Sequence, residues 1–230
     1  MTDKPQDFPE ESLEHRLALF NAKERFALIQ RVLGVKVVPH AGFLDEILEA
    51  CNITAKPENV FCAMDFHLDW LYAALIKNPL TEEPLPLVPD AAGQFPVTGS
   101  QQDADFVMCF TEGDGVGRSE THLLLIEAKG VGAWDTGQMM MKLRQYRAMK
   151  PAFERNPNVR PRLILMSPKD PFENATRQNS EFLSALKAFE DFGEIRWIEL
   201  KMEETFRVVR CNVEGRPNGN SPTHWKLQPR

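Results

Sequence analysis

Two short apolar runs, Phe106-Val107-Met108-Cys109-Phe110 and Leu123-Leu124-Leu125-Ile126, flank the stretch Thr111-Glu112-Gly113-Asp114-Gly115-Val116-Gly117-Arg118-Ser119. Apolar runs bounded by turn residues read as buried strands, and the Gly- and Asp-rich stretch suits a reversing loop. The chain is therefore expected to fold around an antiparallel hairpin. The glycines do not read as a phosphate loop, because no Gly-Lys-Ser/Thr follows and no helical pattern starts there.

Asp103-Ala104-Asp105 opens the first strand and Glu127-Ala128-Lys129 closes the second. In an antiparallel pair those ends coincide, which brings Asp105 and Glu127 to one end of the hairpin. Side-chain alternation places Glu127 and Lys129 on one face, Ala128 on the other, and His122 on the face opposite Glu127. His122 is accordingly read as a structural histidine. Two carboxylates and an amine gathered at a strand exit can hold a divalent cation and stabilise charge on a phosphate. The Glu-x-Lys pattern alone carries little weight, since about one is expected by composition in a chain of this size. A second, Glu199-Leu200-Lys201, ends the run Ile195-Arg196-Trp197-Ile198 but has no Asp-plus-strand hairpin before it. It is read as a solvated strand end.

This arrangement resembles the PD-(D/E)xK nuclease superfamily. The resemblance implies an α/β fold with a mixed central β-sheet flanked by helices, restriction-endonuclease-like, here with extra N-terminal helices. It implies Asp105, Glu127 and Lys129 as catalytic residues. Asp105, Glu127 and the Ala128 carbonyl would hold Mg²⁺, or Mn²⁺ in its place, while Lys129 orients the attacking water or stabilises the phosphorane. Ala104 stands where the motif has a proline, and the literal Pro89-Asp90 is followed by Ala91-Ala92-Gly93 instead of a strand. Asp105 therefore remains the preferred first acid. Members of the superfamily often carry a further acid on the helix before the meander, a position open to Asp65 or Asp69. Several branches also place a Gln or Lys on the helix after the Glu-x-Lys strand, a position open to Gln138, Lys142 and Gln145.

The rest of the chain fills in that frame. An amphipathic start at 9–19, a helix capped by Asn21 with Glu24 and closed by Gly34, and a helix at 41–51 make up an N-terminal helical extension over 1–60. A helix is expected at 63–77, with Met64, Leu68, Leu71 and Leu75 on one stripe and Asp65, Asp69 and Tyr72 beside it. The proline-rich connection 79–100 should hold an irregular loop and a short first strand. Asp135 and Gln138 form a capping box, with Trp134 and Met139 at the staple positions, for a helix reaching about Met149. On it Gln138, Lys142 and Gln145 form a polar stripe beside Met139, Leu143 and Tyr146. Strands at 162–166, 194–200 and 205–213 and a helix at 175–192 complete the nuclease-like core, 61–213, ahead of a flexible tail over 214–230.

With 230 residues, 43% hydrophobic and 26% charged, the chain can bury a substantial core in one domain. No apolar run approaches the roughly 18 residues of a membrane span, and the polar start is no signal peptide, so a cytoplasmic protein is expected. Four cysteines without Cys-x-x-Cys spacing read as reduced thiols and disfavour zinc. The net charge of −6 argues against a broad basic footprint for nucleic acid. Lys142, Arg144, Arg147, Lys150, Arg155, Arg160 and Arg162 do cluster locally, although a solvated helix face accounts for them slightly better than a DNA path. The function expected is a metal-dependent nuclease hydrolysing DNA phosphodiester bonds, with homodimerisation left open. The alternatives are an inactive module of the same fold that binds nucleic acid or protein, and an unrelated α/β protein in which Glu127 and Lys129 are a surface ion pair.

Overall fold

The computed structural model describes residues 8–20, 23–34, 37–54, 56–76, 84–99, 102–113, 119–130, 134, 136–172, 184, 186–187, 189–191, 193–202, 206–217 and 219–229. Helices α1 (Leu13–Ala18), α2 (Glu24–Leu33) and α3 (Ala41–Ala50) come first. Strand β1 (Phe61–His67) runs directly into helix α4 (Leu68–Ile76), and strands β2 (Asp103–Gly113) and β3 (Ser119–Ala128) form the hairpin. Helices α5 (Thr136–Ala148) and α6 (Lys150–Arg155) then lead to strands β4 (Val159–Ser167), β5 (Glu194–Glu199), β6 (Phe206–Cys211) and β7 (His224–Pro229).

The main sheet has the order β1-β2-β3-β4-β5. β1, β2 and β3 pair antiparallel, and β3, β4 and β5 pair parallel, so the sheet is mixed. The parallel β3 and β4 need a crossover, and α5 and α6 supply it. β3 is central, and Leu123 to Ile126 are buried on both of its faces. That explains a continuous apolar run where a half-exposed strand would alternate. Leu123, Leu125, Leu163 and Leu165 pack with Leu17, Leu71, Leu143, Tyr146 and Phe153 of the helices on one face. Leu124, Ile126, Ile164 and Met166 pack with Ile47 and Leu48 of α3 on the other. The fold is thus a mixed α/β sheet with helices against both faces.

Local sequence accounts for several boundaries. The Ser12 hydroxyl accepts from the His15 N–H at 3.1 Å and opens α1. Gly34, at φ 68°, closes α2 in the left-handed conformation expected of it. The N-cap of α2 is Lys23, with no side-chain cap, instead of the expected Asn21; Asp135 lies outside the described residues, as does most of 175–192.

Two expectations need correction. The helix expected at 63–77 is strand β1 followed by α4, so Asp65 lies on a strand and only Asp69 on a helix. Pairing with β2, Phe61 opposite Cys109 through His67 opposite Asp103, overrides the helical spacing of Met64, Leu68 and Leu71. Phe61, Ala63 and Phe66 all join the same core cluster, so the alternation slips once between them, and the slip falls where Asp65 has φ 50°. Aspartate is among the few residues that tolerate that region. The first strand of the sheet, β1, precedes the connection, and the described residues 84–99 of that connection contain no strand.

Residues from Lys201 form a separate unit. The stretch expected as a flexible tail over 214–230 contains β7, which pairs antiparallel with β6. Among the described residues no helix is long and apolar enough to cross a membrane.

Candidate functional site

The register that sets Phe106 opposite Ile126 places Asp105 next to Glu127 at the open end of the β2–β3 hairpin. Their carboxylates are held differently. The Ala128 N–H donates to Asp105 Oδ2 at 2.9 Å, and the Tyr146 hydroxyl donates to Glu127 Oε1 at 3.2 Å. The remaining oxygen of each acid turns to one nitrogen: Lys142 Nζ lies 3.4 Å from Asp105 Oδ1 and donates to Glu127 Oε2. Two acids more than twenty positions apart in the chain thus converge on a single positive charge.

Helix α5 supplies both donors because Lys142 and Tyr146 are four residues apart and share a face. Met139, Leu143 and Tyr146 anchor that face in the core, and Lys142 is carried in with them. Its side chain is only 6% exposed, against 2% for Glu127 and 43% for Asp105. The notch is therefore dry at Glu127 and open at Asp105.

Burial pushes the Glu127 carboxyl up to about 7, helped by the nearby Asp105 charge and opposed by Lys142 and Tyr146. Burial alone would lower the Lys142 pKa, but Glu127 and Asp105 outweigh it and hold the ammonium above its usual range. Burial, followed by the Glu127 charge, pushes the Tyr146 hydroxyl well above its ordinary range, so it remains a donor.

The other expected site residues divide clearly. Lys129 is half-buried beyond the end of β3, its N–H donating to the Met166 carbonyl at 2.7 Å, and its ammonium forms no ion pair with Asp105 or Glu127. The amine that reaches the acids is Lys142. Ala128 contributes its N–H to Asp105, as above. Asp65 pairs with Arg25 at 3.0 Å. Asp69 accepts from the Thr98 N–H at 3.1 Å, the Gly99 N–H at 2.9 Å and Gln145 Nε2 at 2.8 Å. Gln145 Nε2 also donates to the Pro96 carbonyl at 2.9 Å, so Asp69 and Gln145 together clasp the end of the proline-rich connection against α5. Gln138 is exposed in the first turn of α5, and Glu199 and Lys201 are exposed. Tyr146, read from sequence only as part of the apolar flank, is a direct hydrogen-bond partner of Glu127. Its position four residues after Lys142 was the available signal.

At the turn end of the same hairpin, ligand atoms of Glu112, Glu120 and His122 lie within 4.8 Å of one another. Residue types alone would suit a metal ion. However, Arg162 Nη1 stands 2.7 Å from His122 Nδ1, and a guanidinium can only donate. The imidazole proton therefore sits on Nε2, 3.1 Å from Glu112 Oε1, and that nitrogen has no lone pair for a metal. Arg160 pairs with Glu120 at 3.3 Å and Arg162 with Glu194 at 3.4 Å. Burial lowers the His122 pKa against the opposing Glu112 contact, with Arg162 adding to burial, and so favours the neutral ring. These contacts tie the group into a polar network.

Compared with known protein families, with curated proteins and with solved structures, the chain has no match.

Proposed function

We propose that the Asp105–Glu127 notch is the metal site of a Mg²⁺- or Mn²⁺-dependent nuclease with a restriction-endonuclease-like fold, acting on DNA in the cytoplasm. One observation carries the reading: one oxygen of each carboxylate is fixed by a donor, and the other points to a common cation position at the rim of a sheet. Hard oxygen donors of this kind suit Mg²⁺ and Mn²⁺, and an ammonium between them is the stand-in that such a position would attract. The bound ion would supply an activated water and neutralise charge on the phosphate.

The protein's own part is positioning. Asp105 Oδ1 and Glu127 Oε2, with the Ala128 carbonyl, would hold the ion. Tyr146 and the Ala128 N–H keep both acids oriented without rearrangement. Lys129, half-buried just past Glu127, would meet a phosphate oxygen arriving from the open Asp105 side. Incubation of the full chain with single- and double-stranded DNA in Mg²⁺ or Mn²⁺ tests this. Cleavage abolished by Asp105→Asn and strongly slowed by Lys129→Ala is expected; no cleavage of either substrate in either metal would refute the nuclease.

The Lys142 contact also favours a second reading. An ammonium that neutralises both acids permanently would make this an inactive module of the same fold, binding nucleic acid or protein. Its signature is DNA association that is unchanged by Mg²⁺ and yields no product.

A further inference from the structure

We infer that the Lys142 ammonium is the resident cation of the notch, which a divalent ion enters only by displacing it, so that the chain carries its own competitor for metal. The inference rests on the metal-site reading above and adds a regulatory element to it.

The geometry leaves room for one cation. An ion held at about 2.1 Å from Asp105 Oδ1 and Glu127 Oε2 would take the space between those oxygens. Lys142 Nζ already contacts both of them. Two positive charges cannot share one pair of ligand oxygens beside a carboxylate as buried as Glu127, because burial strengthens their repulsion as much as it strengthens the attraction to the acids. One must leave.

The surroundings allow that exchange without unfolding. The outer oxygens of the two acids are held by the Ala128 N–H and the Tyr146 hydroxyl, neither of which involves Lys142. The acids therefore keep their orientation when the ammonium departs. Met139, Leu143 and Tyr146 fix α5 in the core, so the helix stays while the flexible four-carbon stem of Lys142 swings. Asp105, at 43% exposed, marks the open side through which an ion enters and the ammonium leaves.

A resident competitor lowers the apparent affinity for metal by the factor to which it occupies the site. It also keeps the buried Glu127 charge compensated when metal is scarce. Lys142→Met removes the competitor while keeping an unbranched apolar stem.

Mn²⁺ binding to the full chain, followed by the electron paramagnetic resonance signal of the free ion, tests this. At pH 8, Lys142→Met is expected to bind Mn²⁺ at least about tenfold more tightly than the wild type, and the gain should vanish when Glu127→Gln is added. Equal or weaker binding by Lys142→Met, with Glu127-dependent binding intact in the wild type, overturns the inference and leaves the metal site standing. Absence of any Glu127-dependent Mn²⁺ binding in all variants overturns the metal site and the inference together.

A second measurement needs no variant. In the wild type, saturating Mn²⁺ should raise acetylation of Lys142 several-fold by peptide mass spectrometry, because the displaced ammonium becomes accessible. If Mn²⁺ binds through Glu127 and Lys142 labelling stays unchanged, the displacement is wrong.

Discussion

Lys142→Met should cost the fold about 3–5 kcal/mol, the usual penalty for removing one partner of a buried ion pair. The size follows from Glu127, which is 2% exposed and would retain only the Tyr146 hydroxyl as a donor on its carboxylate. Glu127→Gln alone should also destabilise, since its amide oxygen can still accept from Lys142 but the longer contact to Asp105 is then the only one to a negative charge. The double variant removes both charges, so its loss should fall short of the sum of the singles by about 2–3 kcal/mol. Urea unfolding at pH 8 measures the cycle, provided the slopes agree between variants.

The pH matters because burial holds the Glu127 carboxyl at about 7. Between its unfolded value near 4.5 and about 7 the native state binds more protons than the unfolded chain, so the contribution of this group to stability falls as pH rises through that interval. At pH 5.5 Glu127 is mostly neutral in Lys142→Met, and the penalty should shrink markedly. Additivity within about 0.5 kcal/mol at pH 8 would show that the two side chains do not interact and would refute the notch as described.

Three further outcomes follow from the same contacts. Tyr146→Phe conserves volume but strips the donor from Glu127 Oε1, and urea unfolding should show a loss of about 1–2 kcal/mol; unchanged stability would mean the hydroxyl is not bonded there. Asp69→Ala releases the Thr98 and Gly99 amides, whose hydrogen exchange should rise by about tenfold or more while amides of β3 stay protected; equal protection would disprove the clasp. His122 has a lowered pKa, so the native state binds fewer protons than the unfolded chain below about 6.5 and stability should climb with pH up to that point. His122→Gln should flatten the climb between pH 5 and 6.5, and an unaltered slope would place a proton on the native imidazole.

The hairpin was legible because its two apolar runs, its polar loop and the acids at its ends all point the same way, and β3 is central enough for four consecutive residues to be apolar. β1 was not legible as a strand. Met64, Leu68, Leu71 and Leu75 have helical spacing, and only the pairing with β2, a long-range contact, decides that the first part of that stretch is extended. The same misreading placed Asp65 and Asp69 on one helix face, where neither could be preferred. In the structure they belong to different elements and have different partners. Lys142 and Gln145 were visible as a polar stripe, but their burial was not, since a stripe beside an apolar face is normally solvated. It is buried because the crossover from β3 to β4 lays α5 over the end of the hairpin, a consequence of topology that no local pattern carries. For the same reason the amine at the acids is Lys142 and not the nearer Lys129.

The proposed metal site requires Asp105 and Glu127 to share one cation position. Crystals grown in saturating Mn²⁺ test it through the anomalous difference map. A peak is expected about 2.1–2.2 Å from Asp105 Oδ1 and Glu127 Oε2 with Lys142 turned away. A peak only at Glu112, Glu120 and His122, or a notch in which Lys142 keeps both contacts and no ion is present, would contradict it.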